Sequence, residues 1–128
     1  MSQTKPILVI EDDAILRELL VDWLVAAGYR VAVAPEGASG IARALVDRPA
    51  LVVTDMCMPG TGGASVISEV TRLYPGMPVI AISGHFCSGQ GLAPEEALRL
   101  GAARAFAKPF KRKDMVGAVI DLVGPPVG

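Results

Sequence analysis

Four apolar runs in this chain each end on a polar residue or cluster, and this pattern restricts the folds available to it. The runs are residues 7–10, 51–54, 79–82 and 105–107, followed respectively by Glu11-Asp12-Asp13, Asp55, Ser83 and Lys108. Short apolar runs with helical patterns between them are typical of buried strands in a parallel sheet. Because parallel strands all end at one edge of the sheet, the sequence predicts that these polar side chains meet in one ligand-binding site.

The length and composition predict one domain, 1–128, in a cytoplasmic protein. The chain is 52% apolar but only 5% aromatic, which indicates a core of aliphatic side chains. A net charge of −1 gives no general attraction to nucleic acid or membrane surfaces. No apolar run approaches the ~20 residues that span a bilayer, and residues 1–6 lack the apolar stretch of a secretory signal.

Five strand-then-helix units predict an α/β fold: a doubly wound, five-stranded parallel sheet between two helical layers. The second strand is predicted at 29–34, the core at about 6–123, and 124–128 as a C-terminal tail or the start of a linker. Strand order 2-1-3-4-5 brings Glu11 and Asp12 beside Asp55, whereas order 3-2-1-4-5 separates Asp12 from Asp55. The clustering of acids favours the first order.

A cluster of carboxylates needs a cation or a proton, because like charges at short range repel one another. Oxygen ligands without His or Cys at metal-ligand spacing suit Mg²⁺ or Mn²⁺ rather than zinc. A divalent ion beside an Asp and Lys108 is suited to phosphoryl transfer onto the Asp, and Ser83 could donate a hydrogen bond to a phosphoryl oxygen. Taken singly, each of these residues is more often a cap, turn or surface residue. Their order along one sheet edge is what makes the pattern specific.

The same residues resemble the receiver domain of bacterial two-component response regulators. The resemblance covers residues 7 to about 122 and rests on the motifs at 7–12, 54–60, 82–84 and 107–110. It implies the flavodoxin/CheY-like fold with strand order 2-1-3-4-5. It also implies a signalling protein that accepts a phosphoryl group rather than an enzyme.

Carried over by position, the resemblance assigns Asp55 as the phospho-acceptor, with Ser83 and Lys108 contacting the phosphoryl group. It implies that Mg²⁺ (or Mn²⁺) is held by Asp55 together with Asp12 directly and Glu11 through water.

The backbone carbonyl of Cys57 would complete this ligand set. Asp13 falls outside the metal pair and is predicted to cap the first helix. Pro109 would follow a cis peptide bond, which proline permits at modest energetic cost.

The chain departs from the family pattern where members commonly carry a switching Tyr or Phe, three residues before the lysine. Ala105 stands there, and Phe106 follows it. Since a shift of one residue along a strand reverses its face, Phe106 is predicted to be a core residue rather than the switch. A switch would then act by ordering the glycine-rich loop between Ser83 and Gly101.

Two loop residues lie where side chains border the phosphoryl group in the family. His85 would position or obstruct the attacking water, or be an exposed loop histidine without a role. Cys57 and Cys87 lie on loops predicted to be neighbours, but a disulfide between them is disfavoured because cytoplasmic disulfides are rare.

The combined interpretation is a phospho-accepting signalling switch that receives its phosphoryl group from a histidine kinase or a histidine phosphotransfer protein. Its downstream protein target is predicted to bind the face of the fourth helix, fifth strand and fifth helix, which carries Arg99, Arg104, Lys111, Arg112 and Lys113. No direct nucleic-acid or membrane contact is expected, and the protein would be a monomer or a weak homodimer. Two alternatives remain: a receiver-like docking module that is never phosphorylated, and a metal-dependent phosphatase with an Asp nucleophile.

Overall fold

Each strand of the sheet is followed by a helix along the chain. The computed structural model describes residues 5–57, 62–84 and 94–126. Within these ranges the elements are β1 (Ile7–Ile10), α1 (Ala14–Ala26), β2 (Val31–Ala34), α2 (Gly37–Val46), β3 (Leu51–Asp55), α3 (Gly63–Leu73), β4 (Val79–Ser83), α4 (Pro94–Leu100), β5 (Arg104–Ala107) and α5 (Arg112–Val123).

All five strands are parallel and lie in the order β2-β1-β3-β4-β5. The predicted α/β fold and its strand order are therefore confirmed, and order 3-2-1-4-5 is excluded. The register sets Ile10 beside Thr54, so Glu11 leaves β1 level with Asp55. It also sets Ser83 beside Ala107, which brings Lys108 to the same edge of the sheet.

The core consists of two apolar layers separated by the sheet. Because successive strand side chains alternate between faces, Leu8 and Ile10 pack toward α2, α3 and α4. Ile7 and Val9 pack toward α1 and α5. Both faces of the central strands are covered, which explains why their sequences are almost entirely apolar.

Helix α1 has a polar cap at its start and a tight turn at its end. The Asp13 carboxylate accepts hydrogen bonds from the amides of Ile15 and Leu16, as expected of a helix-capping residue. The second strand begins at Val31 rather than at the predicted Tyr29, because the Tyr29 amide donates back to Leu24 at 3.0 Å and closes the end of α1. In the part of the chain that the structure describes, no helix has the length and apolarity needed to cross a membrane.

The close approach of α2 to β1 depends on a glycine. A Cβ on Gly40 would lie 2.3 Å from Cδ1 and 2.6 Å from Cγ1 of the buried Ile10. We expect Gly40→Ala to lower the free energy of unfolding by about 1–3 kcal/mol, because overpacking outweighs the better helix propensity of alanine. Urea denaturation followed by the fluorescence of Trp23 measures the change.

Gly117→Ala is the matched control, because a Cβ at this position in α5 meets no atom within 4 Å. This substitution is expected to raise the free energy of unfolding by about 0.5–1 kcal/mol. Equal effects of the two substitutions would contradict the packing argument.

Candidate functional site

A cavity of about 200 Å³ lies at the carboxyl edge of the sheet, where the polar residues that follow β1, β3 and β5 converge. It forms there because β1 and β3 are neighbours while the chain segments that follow them turn toward opposite helical layers. The cavity is lined by Glu11, Asp12, Asp13, Asp55, Cys57, Gly84 and Lys108.

Asp55 is held at the floor of this cavity by two hydrogen bonds. Its side chain is almost fully buried. Its Oδ2 accepts a hydrogen bond from Lys108 Nζ at 2.8 Å, and its Oδ1 accepts one from the Cys57 amide at 2.9 Å. Burial by itself lowers the pKa of Lys108, but the hydrogen bond to Asp55 and the attraction of the neighbouring carboxylates outweigh burial and raise that pKa. Lys108 is therefore a permanent cation in the site.

The lysine reaches Asp55 from a strand that does not neighbour β3. Its amide donates to the Ser83 carbonyl at 2.8 Å, which fixes the backbone beside the end of β4, and the Lys108–Pro109 peptide bond is cis. Its side chain passes over Gly84, where a Cβ would lie only 3.3 Å from the lysine Cδ. Sequence analysis did not identify Gly84 as part of the site. A glycine directly after a strand that ends in a polar residue is the signal that indicates such a close approach.

Glu11 is buried, and among the described residues only one of its carboxylate oxygens has a hydrogen-bond donor. Oε2 accepts the Asp13 amide at 3.0 Å, whereas Oε1 has no hydrogen-bond partner among the described residues and lies 3.7 Å from Lys108 Nζ. Burial raises the pKa of Glu11 to about 8, and the negative charge of Asp55 adds to this rise. The Asp13 amide and Lys108 act in the opposite direction. A buried oxygen without a donor marks a place where a bound cation would be stabilised.

The three acids fit a divalent cation. Glu11, Asp12 and Asp55 each offer a carboxylate oxygen, and these oxygens lie within 4.8 Å of one another. Hard oxygen ligands of this kind suit Mg²⁺ or Mn²⁺. The buried Oε1 of Glu11, which has no hydrogen-bond partner among the described residues, is independent support, because a bound cation would stabilise its charge.

The remaining predicted residues fall in three groups. Ser83 is buried at the end of β4 but is not among the residues that line the cavity. Asp13 lines the cavity while capping α1. His85, Cys87 and most of the loop before α4 lie outside the described residues.

The expectation that Cys57 remains a thiol is wrong for this structure. Cys57 is disulfide-bonded, while its amide still donates to Asp55. The chain contains one other cysteine, Cys87, which lies outside the described residues. β3 and β4 are neighbours in the sheet, so Cys57 leaves β3 beside the end of β4. The prediction is wrong because it gave the rarity of cytoplasmic disulfides more weight than the predicted proximity of the two loops.

Ala105 and Phe106 face opposite layers of the domain. Ala105 packs against the α2–α4 side of the sheet, and Phe106 packs against the α1–α5 side. The Phe106 ring lies 6.2 Å from that of Phe110, which in turn makes an edge-on contact with Trp23 at 6.0 Å. Phe106 is therefore part of an aromatic cluster beneath α1 and α5, on the face away from the one where the family aromatic would sit.

Comparison with known proteins places this site in a family. Residues 7–120 match the family model described as the response regulator receiver domain. The chain belongs to this family. Receiver domains are signalling domains of two-component systems that interact with histidine kinases and downstream effectors, and they typically bind Mg²⁺.

Relatives of different lengths share this domain. The chain is 31% identical over 116 residues to the chemotaxis protein CheY of Thermotoga maritima, covering 90% of this chain and 94% of that protein. It is 32% identical over 119 residues to the transcriptional regulatory protein FixJ of Azorhizobium caulinodans, covering 93% of this chain but 55% of FixJ. The crystal structure of the receiver domain of NtrX from Brucella abortus has a TM-score of 0.81 at 28% identity, covering 91% of this chain and 97% of that one.

The chain spans about a quarter of several other curated relatives that it matches. These proteins therefore resemble it over the receiver domain and not over their full length.

The raised pKa of Glu11 predicts a pH dependence of stability in the absence of metal. The folded state binds this proton more tightly than the unfolded chain, whose pKa is close to 4.5. The stabilisation is therefore complete below pH 4.5 and is lost as the pH rises to about 8. In EDTA we expect wild type to lose on the order of 2–4 kcal/mol more than Glu11→Gln across this range.

Urea denaturation at a series of pH values measures this difference, and Glu18→Gln, at an exposed position on α1, is the control that should follow wild type. If the stability of wild type and of Glu11→Gln changed with pH in the same way, the raised pKa of Glu11 would be contradicted.

Proposed function

We propose that this chain is a phospho-accepting signalling switch in which Asp55 receives a phosphoryl group from a phosphohistidine on a histidine kinase or a histidine phosphotransfer protein. The observation that supports it best is the contact of the buried Asp55 carboxylate with Lys108 at 2.8 Å, beside two further acids. A carboxylate held in this way is a nucleophile with a fixed direction of attack. The protein would catalyse transfer from the phosphohistidine onto itself and the hydrolysis of its own acyl phosphate.

The transfer can be written from the groups in the site. One oxygen of Asp55 forms a bond to phosphorus while the bond from phosphorus to the donor imidazole nitrogen breaks, which leaves a neutral imidazole after protonation from solvent. Lys108 neutralises charge on the phosphoryl oxygens. Mg²⁺, held by Glu11, Asp12, Asp55 and the Cys57 carbonyl, would supply the remaining positive charge.

The donor protein would approach along the first turn of α1. Ile15 is 80% exposed there, two residues after Asp13 and beside the cavity, and Leu19 is exposed one turn later. An apolar side chain at this exposure next to a charged cavity is suited to contact with a protein rather than with a small substrate.

The downstream response would involve a change at the α4-β5-α5 face, as the sequence suggested. Two cations of that face already have acidic neighbours within it: Arg99 is 3.0 Å from Glu96, and Arg104 is 4.0 Å from Asp121. Both contacts are exposed and therefore weak, so a partner's acidic groups would compete with them readily. With Ala105 in place of the family aromatic, the change would arise from reordering of backbone rather than from a ring rotation.

Intact-mass spectrometry after incubation with acetyl phosphate tests the proposal directly. We expect wild type to gain one phosphoryl group only when Mg²⁺ is present, and Asp55→Asn to gain none. The asparagine preserves size and removes the nucleophile. The chain offers an internal control in Glu18→Gln, at an exposed position on α1 outside the cavity, which should be phosphorylated like wild type. Absence of an adduct on wild type, with beryllofluoride also failing to bind, would overturn the proposal in favour of a docking module that is never phosphorylated.

Metal binding can be tested separately from phosphorylation. Asp12→Ala is expected to weaken Mg²⁺ binding about tenfold or more, because it removes a carboxylate that borders the cavity. Isothermal titration calorimetry measures the affinity, with Glu18→Gln, outside the cavity, expected to stay within a few-fold of wild type. Urea unfolding in EDTA should show that Asp12→Ala folds normally, since the Asp12 side chain is exposed. Wild-type Mg²⁺ affinity in Asp12→Ala would exclude this residue as a ligand.

A further inference from the structure

Cys57 places a disulfide bond beside the phospho-acceptor. The residue lines the same cavity as Asp55 and Lys108, and its sulfur is disulfide-bonded. The Asp55 side chain is almost fully buried, whereas Cys57 is half-buried. Cys57 is therefore closer to solvent than the carboxylate that it borders.

The chain has one other cysteine to which this bond can be made. An intramolecular disulfide at Cys57 joins it to Cys87, which lies outside the described residues and between Ser83 and Pro94 in the sequence. The bond therefore links the segment that leaves β3 to the segment that connects β4 with α4. β3 and β4 are already paired along their length in the sheet. The fold thus does not need the disulfide to bring these strands together.

The acceptor keeps its contacts while the disulfide is present. The Cys57 amide donates to Asp55 Oδ1 at 2.9 Å, and Lys108 Nζ donates to Oδ2 at 2.8 Å. The disulfide therefore leaves the nucleophile in place and acts on the space around it. A donor must bring its phosphorus to about 3–3.5 Å from a carboxylate oxygen, with the leaving group in line. A second cysteine side chain bonded to Cys57 Sγ takes up room beside this approach.

The position of Cys57 also makes the bond accessible to a reductant. Disulfides with exposed sulfurs are typically labile or regulatory. A thiolate of a dithiol attacks one sulfur, the bond between the two protein sulfurs breaks, and a mixed disulfide forms. The second thiol of the dithiol then displaces the remaining protein thiol. Two electrons and two protons pass to the protein, which ends with two thiols, while the dithiol ends as a disulfide.

We propose that the disulfide at Cys57 is a reversible redox modification that obstructs phosphoryl transfer to Asp55, and that a dithiol reductant restores access. This inference rests on the proposed function, because it concerns access to the same acceptor. In an in-line reaction, the donor's leaving group and the hydrolytic water both occupy the open side of the cavity, opposite the Asp55 oxygen. The oxidised protein therefore accepts a phosphoryl group slowly and, once phosphorylated, loses it slowly.

Intact-mass spectrometry measures both the redox state and the phosphorylation. Labelling with N-ethylmaleimide under denaturing conditions should add no label before reduction with dithiothreitol and one on each of the two cysteines after it. In acetyl phosphate and Mg²⁺, oxidised wild type should gain its phosphoryl group about tenfold more slowly than reduced wild type, because small changes in the approach geometry have large effects on rate. Hydrolysis should slow less than transfer, since water is smaller than acetyl phosphate.

Cys87→Ser is the matched variant, because it cannot form the disulfide and leaves Cys57 in the site. It should be phosphorylated at the rate of reduced wild type, with or without dithiothreitol. Urea unfolding followed by Trp23 fluorescence should show that both redox states are folded in the assay.

Equal rates for oxidised and reduced wild type would overturn this inference and leave the proposed function standing. Uptake of label before reduction would have the same consequence. Absence of an adduct in both redox states would overturn the proposed function and this inference together.

Discussion

The repulsion between buried carboxylates is the constraint on which this structure depends. Glu11 and Asp55 are almost fully buried within a few ångströms of each other, and two like charges about 4 Å apart cost on the order of 4 kcal/mol at an effective dielectric constant of 20. Lys108 offsets part of this repulsion, because its ammonium lies 2.8 Å from Asp55 and 3.7 Å from Glu11. The order of β3, β4 and β5 brings this ammonium to the acids, while the Arg17 guanidinium donates to the Glu11 carbonyl at 2.8 Å.

One lysine does not balance three acids, and the structure records the shortfall at Glu11. Its buried Oε1 has no donor within the part of the chain that the structure describes, and burial raises the pKa of the carboxyl to about 8. Buried polar groups elsewhere in proteins are paired, and exceptions are concentrated at functional sites. The shortfall therefore links the stability of the domain to whatever positive charge enters the cavity, since a ligand that binds only the folded state stabilises it. Fold stability and signalling chemistry are connected through the same carboxylates.

One glycine and a cluster of aromatic rings determine how the chain around Lys108 packs against the rest of the domain. Gly84 allows the Lys108 side chain to cross the end of β4. Two residues after that lysine, Phe110 packs between Phe106 and Trp23, so the backbone that carries the cation is anchored in the α1–α5 layer. The position where the family carries its aromatic holds Ala105, which faces the other layer and has no ring to move. The aromatic ring contacts next to the site thus lie on the side of α1 and α5.

The sequence by itself determined the strand pattern, the strand order and the identity of the polar residues at the carboxyl edge. Local patterning suffices for the strands and their polar ends, because apolar runs and cap residues act over short stretches of chain. The strand order followed from crossover handedness together with the requirement that the acids meet at one edge. Tertiary structure decided what depends on proximity between distant segments. The passage of Lys108 over Gly84, the unpartnered oxygen of Glu11 and the disulfide at Cys57 are all of this kind. A sequence pattern identifies the groups that can interact, but the distances between them are set only when the chain folds.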